Sequence, residues 1–380
     1  MIKTEETLTM DTAIFVSDKV NVQDSSQLGW NTHSLSKVFA TSFADLYSSE
    51  AVLQKERQEV FLSNWTLLGS SDALAARGSF RCFEVLGVPI VLIGQGEGVV
   101  KGFYNQCPHR ALPLLEGDGL KRNFITCPYH QWSFKLTGEV STIPQSKEFD
   151  QLNKEALGLK EFDVVIWRGL IFGDLLGRGA LFNQLRREIE SKIGDEFKTE
   201  YQERSVTTYQ IACNWKFLVE NHVDVYHLWY LHSKTLNSFD HQRFRWEQSG
   251  PNWWSYEPRK TKATYPYADE NGNGAKDGIG AHLLYPNIMI VTTPRYVATY
   301  DALPIDASTT QLTLRIRANE DADAEKVLEE IRAFLSEDVL VCERLQNSVK
   351  SPYYSLGPLA KNHERPILNF HDSLRTSLGV

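Results

Sequence analysis

Hydrophobic and polar positions change rhythm twice along the chain. The stretch Leu53-Gln-Lys-Glu-Arg-Gln-Glu-Val-Phe61 spaces its apolar residues as one face of a helix. Residues 1–57 therefore read as a helical segment that packs on the rest rather than folding alone. From Trp65 the texture turns to short β-like runs, Arg81–Leu86, Val88–Ile93 and Val99–Asn105, punctuated by glycines read as turns at 87, 94, 96, 98 and 102. This β region ends near Leu175. Helical spacing returns at Phe182–Ile193, then strands, then a helix-like stretch Trp215–His232, an aromatic-rich region and a β run Asn287–Tyr300. A long helix, roughly Ala322–Asn347, closes this part, with Val327, Leu328, Ile331, Phe334 and Leu335 along one face. The segment 265–280 is rich in Gly, Asn and Asp and reads as a mobile loop, either a surface connection or a lid.

Helices and strands arranged this way give an α+β chain. At 380 residues it holds one large or two ordinary domains, divided as 58–175 and 176–380 behind the N-terminal segment. A net charge of −8 argues against nucleic acid. The strongest apolar run, Val88–Ile93, is far too short to span a bilayer, and the first twenty residues show no basic stretch leading into an apolar one. No membrane association and a cytoplasmic location are expected. The cysteine count, 5, is odd, and Cys82, Cys213 and Cys342 are scattered without paired spacing, so they read as reduced, buried thiols.

The other two cysteines carry chemistry. Cys107-Pro-His109 and Cys127-Pro-Tyr-His130 each pair one thiolate with one imidazole, and seventeen residues separate His109 from Cys127. A two-iron, two-sulfide cluster of Rieske type uses two thiolates on one iron and two neutral imidazoles on the other. A Cys2His2 zinc site would usually draw both thiolates from one knuckle and both imidazoles from another. Pro108 and Pro128 remove a donor and a free φ from each loop, which stiffens the ligand arms. Gly94–Gly98 lacks the G-x-G-x-x-G spacing and opens no helix, so no flavin or nicotinamide site is read here. Electrons must then come from a separate protein.

The flanks of those arms, Cys107-Pro-His-Arg110 and Cys127-Pro-Tyr-His-Gln-Trp132, resemble the Rieske non-haem iron oxygenases. Ala111 and Gln131 stand where that family customarily has glycine, a departure expected to alter cluster packing or donor docking while sparing all four ligands. The segment Asn214–His232, with Asn-Trp-Lys at its start, is similar to the family's iron-ligand segment, which implies His227 and His232 as two ligands of a mononuclear Fe(II). Glu337–Asn347 resembles the family's ligand helix and implies Asp338 as the third, with Glu337 and Glu343 as rivals. Two imidazoles and one carboxylate on one face leave positions open for oxygen. His232 follows His227 by five residues and would lie well round an ideal helix, so the helix must break or bulge there. By the same resemblance Asp224 bridges the iron site of one subunit to His130 of the next, and Asn221 orders water or a substrate group near the iron. His222 reads as a packing residue or one that supports a ligand, and His33, His241, His282, His363 and His371 fall outside any metal spacing.

The resemblance runs from about residue 45 to 375. It implies a Rieske β-domain joined to a catalytic domain whose curved antiparallel sheet is flanked by helices, in the helix-grip or START-like manner. It also implies a head-to-tail homotrimer, and the short Asn221–Asp224 interval leans toward the alpha-only monooxygenases and demethylases. The activity implied is that of a terminal oxygenase component. It would use O2, and electrons that a flavin/iron-sulfur reductase or ferredoxin draws from NAD(P)H, to hydroxylate or oxidatively demethylate a small organic substrate. The alternatives are cis-dihydroxylation of an aromatic ring and, of another class, an electron-transfer iron-sulfur protein or metal-stabilised binding protein without turnover. Phe239, Phe244, Trp246, Trp253, Trp254, Tyr256, Tyr265 and Tyr267 crowd the region after the ligand segment, either as core or as a box for a ring or a quaternary ammonium.

Overall fold

Alternation of buried side chains builds two large sheets that meet through one shared layer, in which Leu67, Trp167 and Phe172 pack with Trp254, Ile288 and Ile290. The computed structural model describes residues 44–150, 152–179, 182–260, 278–351, 353 and 357–379. Two short helices, α1 (Asp45–Ser48) and α2 (Glu50–Glu56), come first, and a wider helical turn, Arg57–Phe61, extends α2. Strands β1 (Thr66–Ser70), β2 (Ser79–Val85), β3 (Val88–Gly96), β4 (Val99–Tyr104) and β5 (Asp118–Leu120) follow. Next come β6 (Phe124–Thr126), β7 (Ser133–Lys135), β8 (Val140–Thr142), β9 (Glu161–Trp167) and β10 (Leu170–Asp174). Their sheet runs β1-β10-β9-β4-β3-β2-β5, with β6-β7-β8 as a separate small sheet. In β3, Ile90 and Leu92 pack toward Leu68, Phe162 and Ile171, while Val91 and Ile93 pack toward Cys107, Cys127 and Phe134. A strand buried on both faces loses the apolar-polar alternation, hence its continuous hydrophobic run.

Two of the glycines read as turns serve otherwise. Gly94 and Gly102 lie inside β3 and β4, and a Cβ on Gly102 would run into the ring of Phe162. They are glycine because another chain segment passes too close for a side chain. Gly87 does make a turn, with Leu86 and Gly87 both at positive φ, 51° and 85°, as a two-residue hairpin demands.

The second half continues with α3 (Phe182–Ile193), β11 (Gln202–Ile211), α4 (Trp215–Val223) and the strands β12 (Arg245–Ser249), β13 (Asn252–Pro258) and β14 (Gly278–Leu284). It ends with β15 (Ile288–Thr292), β16 (Tyr296–Asp306), β17 (Thr309–Ala318), α5 (Ala324–Ser348) and α6 (Arg365–Ser377). These strands form one antiparallel sheet, β11-β17-β16-β15-β14-β13-β12. The run read as one strand from Asn287 to Tyr300 is two, turning at Thr293–Arg295. The 265–280 segment lies outside the described residues except Gly278–Gly280, which open β14. Among the described residues no helix is long and apolar enough to cross a membrane.

Adjacent residues of this sheet face opposite layers. Met289 and Val291 pack with α4, α5 and α6, whereas Ile288 and Ile290 pack with α3 and Phe172 of β10. The same alternation sends Trp253 to the helical layer and Trp254 to the other, where its indole N–H bonds Glu188 at 2.9 Å. Arg317, 2% exposed, ties β17 to the first sheet by bonds to Ser70 Oγ (2.8 Å) and Asp72 Oδ2 (3.2 Å), and it also bonds the Tyr201 carbonyl (2.7 Å) ahead of β11. Described residues of the N-terminal segment, Leu46, Tyr47 and Leu53, belong to the same core as Trp215 and Phe370. There Glu56 and Lys216, each 2% exposed, pair at 2.8 Å, and Trp215 Nε1 donates to the same carboxylate. Such a pair adds little net stability but fixes register; removing one partner costs ~3–5 kcal/mol.

Candidate metal centres and substrate cavity

Two loops of matching geometry carry the Cys-His pairs. The amide of Cys107 bonds the Leu112 carbonyl and that of Ala111 returns to Cys107; the amide of Cys127 bonds Trp132 and that of Gln131 returns to Cys127. Each loop closes through a left-handed residue, Ala111 at φ 59° and Gln131 at φ 58°. Family glycines would sit there without strain, so the two departures lie where a side chain is most costly. The fold brings the four candidate ligands together. Cys107 and Cys127 are 2% and 1% exposed, the His109 and His130 rings are 4.5 Å apart, and Trp132 stacks on His109 at 4.8 Å. His109 Nδ1 is buried with no hydrogen-bond partner, an otherwise costly vacancy that a metal bond would fill. Burial, with His130 and Arg110 beside it, holds His109 below its ordinary pKa, which favours the neutral imidazole a metal needs. The set fits a Cys2His2-ligated [2Fe–2S] cluster.

Of the remaining thiols, Cys213 and Cys342 are buried as expected, but Cys82 is only partly so. Burial, with Asp118 and Glu116 nearby, raises its pKa to about 11.

The second site begins at Asn214, whose side chain accepts from the Lys216 amide at 3.1 Å and starts α4. The helix stops at Val223, well short of the helix-like stretch read to His232. Asp224 is extended (φ −79°, ψ 119°), and its Oδ1 accepts from the Tyr226 amide at 2.6 Å. This local Asx bond competes with the helical ladder. The Val225 amide turns to the His363 carbonyl, and a 3-10 turn spans Tyr226–Trp229. That break swings His227 and His232 to one side.

His227, His232 and Asp338 each offer a ligand atom, all within 4.8 Å of one another. Both Nε2 atoms point to the same carboxylate oxygen, at 3.6 Å for His227 and 2.8 Å for His232. The Nδ1 atoms turn outward. His232 Nδ1 meets Glu337 Oε2 at 2.7 Å, and Thr235 Oγ1 donates to that same oxygen at 2.7 Å. His227 Nδ1 lies 3.2 Å from Asp224 Oδ2, close but outside hydrogen-bond geometry. Carboxylates behind ligating imidazoles fix tautomer and orientation. Glu337 is thus a support for His232 where the sequence made it a rival ligand, and Glu343 is elsewhere, accepting from the Ala212 amide. Asn221 Nδ2 donates to Asp338 Oδ1 at 3.3 Å. Two imidazoles and one carboxylate so disposed fit a mononuclear iron.

A cavity of about 930 Å³, including its mouth, opens beside this set. Its wall is mostly apolar, with Leu218, Phe239, Phe244, Trp253, Met289 and Phe334 among the lining. The aromatic crowd therefore divides. Phe239, Phe244 and Trp253 line the cavity, Trp246 packs against the helical core, Trp254 faces the opposite layer, and Tyr265 and Tyr267 lie outside the described residues. His222 lines the cavity too, its Nε2 on the His282 carbonyl at 2.9 Å, and burial holds its pKa down at about 4. His282, behind it, is lowered to about 3 by burial and by His222. Tyr300 has its phenol raised well above the ordinary value by burial, with Tyr296 and Asp338 adding. Sequence reasoning missed Glu337's supporting role, Glu257 and Tyr300; the alternation Trp253, Ser255, Glu257 was the available signal for one wall.

Comparison with known proteins places this architecture. Residues 64–163 match the Rieske [2Fe-2S] domain, and residues 198–379 match the ring hydroxylating alpha subunit (catalytic domain). The chain belongs to the Rieske non-haem iron oxygenases, joining a [2Fe–2S] domain to a mononuclear-iron catalytic domain. Among its relatives, the carnitine monooxygenase oxygenase subunit of Escherichia coli K12 is 27% identical over 330 residues, covering 82% of this chain and 84% of that protein. Chloroplastic choline monooxygenase of Atriplex hortensis is 23% identical, covering 86% and 75%. The glycine betaine monooxygenase oxygenase subunit of Pseudomonas aeruginosa UCBPP-PA14 is 25% identical, covering 86% of each. In fold, the chain matches a quaternary ammonium Rieske monooxygenase with TM-score 0.75 at 22% identity, covering 88% of this chain and 94% of that one. Naphthalene 1,2-dioxygenase from a Rhodococcus species gives TM-score 0.72 at 16% identity, covering 90% and 95%.

Proposed function

We propose that this oxygenase removes a methyl group from a small N-methylated ammonium substrate. What carries the reading is the convergence of two imidazole Nε2 atoms and one carboxylate beside an apolar cavity lined with aromatic rings. The relatives named for carnitine, choline and glycine betaine support it. Bound to these residues, iron would supply oxygen activation at open positions, and the [2Fe–2S] cluster would supply electrons singly. One oxygen atom enters a methyl C–H bond and the other leaves as water, with two electrons and two protons consumed. The C–N bond then breaks to give formaldehyde, the tertiary amine and a proton.

The residues take these roles in the reading. Cys107, His109, Cys127 and His130 hold the cluster, and His227, His232 and Asp338 hold the iron. Glu337 keeps the His232 imidazole oriented, and Asp224 lies beside the His227 ring. Asn221 steadies Asp338, and Phe239, Phe244 and Trp253 exclude water and offer ring faces to a cation. Asp224 sits at the Tyr226–Tyr230 surface, where both rings are exposed. This suits a bridge to His130 of a neighbouring subunit in a head-to-tail homotrimer. We divide the chain into a segment 1–57, a cluster domain 58–175 and a catalytic domain 176–380, working in the cytoplasm with a separate NAD(P)H-dependent reductase or ferredoxin. The relatives' description as oxygenase subunits supports that partner.

The test is formaldehyde release from a panel of N-methylated amines by iron-loaded, chemically reduced protein. Substrate-dependent formaldehyde supports the reading; none from any amine overturns it. The mostly apolar wall favours a second reading, cis-dihydroxylation of an aromatic ring, which would instead yield a diol from an aromatic panel.

A further inference from the structure

A regular ladder joins α5, which carries Asp338, to α4, which leads into the histidine ligands. The two helices run antiparallel, and three contacts step along them in order. The Asn214 amide donates to Gln346 Oε1 at 2.8 Å, the Cys342 thiol donates to the Phe217 carbonyl at 3.6 Å, and Asn221 Nδ2 donates to Asp338 Oδ1 at 3.3 Å. On α5 the residues concerned, Asp338, Cys342 and Gln346, form one stripe at four-residue spacing. The position of Asp338 is therefore tied to the rungs below it.

Those rungs are unequal. Asn221 and Cys342 each make one long contact, the second through a weak donor. Gln346 is 3% exposed and uses both ends of its amide, since Nε2 donates to the Tyr47 carbonyl at 3.0 Å. Tyr47 in turn stacks its ring on Phe217 at 4.3 Å and donates from Oη to Glu220 Oε1 at 2.8 Å. Through Tyr47, α1 clips Gln346 to the middle and the far end of α4. The Asn214 side chain is already spent on the Lys216 amide and the Ala307 carbonyl. An apolar residue at position 346 would strand a buried N–H and a buried C=O, and each such loss is costly.

The carboxylate at the top of the ladder has little room to move. Asp338 Oδ1 lies 2.8 Å from His232 Nε2 and 3.6 Å from His227 Nε2. A one-residue slip of α5 would carry it ~1.5 Å along the axis and turn it by about 100°. Glu337 would move with it, and with Glu337 the 2.7 Å contact to His232 Nδ1. We propose that Gln346 is a positioning residue for the iron. By locking α5 on α4 through Asn214 and Tyr47 it sets where Asp338 meets the two imidazoles, and it makes α1 part of the framework of a ligand ~12 Å away along the helix. The proposal rests on the reading of His227, His232 and Asp338 as iron ligands.

The experiment uses the full-length protein with its cluster in place, as wild type, Gln346→Met, Gln346→Glu and Asp338→Ala. Anaerobic Fe(II) titration against a competing chelator gives the affinity, and EPR of the ferrous-nitrosyl adduct reports the ligand geometry. Melting temperature and cluster absorbance report the fold. Methionine keeps the volume and removes both bonds; glutamate keeps an acceptor for the Asn214 amide and gives up the Tyr47 contact. Residues that bond a metal ligand directly are worth ~10–100-fold in affinity. Gln346 acts one step further out, so Gln346→Met should weaken iron binding by about three- to tenfold and broaden the nitrosyl signal, with Gln346→Glu between it and wild type. A lowered melting temperature with iron affinity within about twofold of wild type and an unchanged nitrosyl signal would mark a residue of the fold alone and overturn the proposal. If Gln346→Met does not fold, Gln346→Glu decides by the same two readouts. Equal iron binding by wild type and Asp338→Ala would instead overturn the ligand reading, and the proposal with it. Weakened binding in Asp338→Ala alone, with both Gln346 variants at wild-type values, overturns only the proposal.

Discussion

Replacing Glu337 with alanine should loosen the iron without disturbing the cluster. His232 is 1% exposed, its Nδ1 is 2.7 Å from Glu337 Oε2, and that carboxylate also accepts from Thr235 Oγ1 at 2.7 Å. Alanine strands a buried imidazole N–H, a loss of ~1–3 kcal/mol, equivalent to ~10–100-fold weaker iron binding. Thr235 Oγ1 already lies 3.4 Å from Nδ1 and can take over part of the contact, so the lower end, about tenfold, is expected for Glu337→Ala alone. Glu337→Gln keeps a neutral acceptor and should fall between wild type and alanine, while Glu337→Ala with Thr235→Val should approach the upper end. Anaerobic Fe(II) titration against a competing chelator reads the affinity, and cluster absorbance serves as the internal control. An alanine variant binding iron within about twofold of wild type would refute the reasoning.

Other consequences follow from the same geometry. Asp224→Asn should keep both metal centres, as read by metal analysis and cluster absorbance, yet abolish turnover; retained substrate-dependent activity would count against the bridge. Ala111→Gly and Gln131→Gly relieve left-handed residues at ~1–2 kcal/mol each, offset by the greater freedom of unfolded glycine. A net gain of up to ~1 kcal/mol in denaturant unfolding followed by cluster absorbance is expected for each. His282, lowered to about 3 by burial, stays neutral in the fold while its unfolded counterpart protonates near pH 6.5. The unfolded state then binds more protons, so stability falls as pH drops from about 6.5 toward 3. His282→Gln should flatten melting temperature against pH in that window, and an unchanged slope would contradict the assignment.

Much of this was legible because the chemistry is local. Cys107, His109, Cys127 and His130 sit in two short loops whose ligand pairing is readable without a fold. A break was expected between His227 and His232 from their five-residue interval, but the helix stops earlier, at Val223, where the Asx bond of Asp224 to Tyr226 ends it. Glu337's part was not readable, because only the crossing of α5 over the ligand loop shows whether a neighbouring carboxylate meets the metal or an imidazole behind it. Gly102 was read as a turn for a similar reason: a strand glycine looks like a loop glycine until Phe162 is seen against it. The aromatic crowd divided by strand parity, so Trp253 and Trp254, adjacent in sequence, serve opposite layers. Parity was available from the sequence, but which face opened on a cavity was not.

The most direct test is a single turnover with iron-loaded, fully reduced protein, oxygen and an N-methylated amine from the panel that releases formaldehyde, following cluster oxidation and formaldehyde together. Formaldehyde formed in step with substrate-dependent cluster oxidation, and lost in Asp338→Ala while the cluster spectrum persists, is the outcome expected of an oxygenase built on His227, His232 and Asp338. Cluster oxidation indifferent to substrate with no product, or product undiminished in Asp338→Ala, would contradict it.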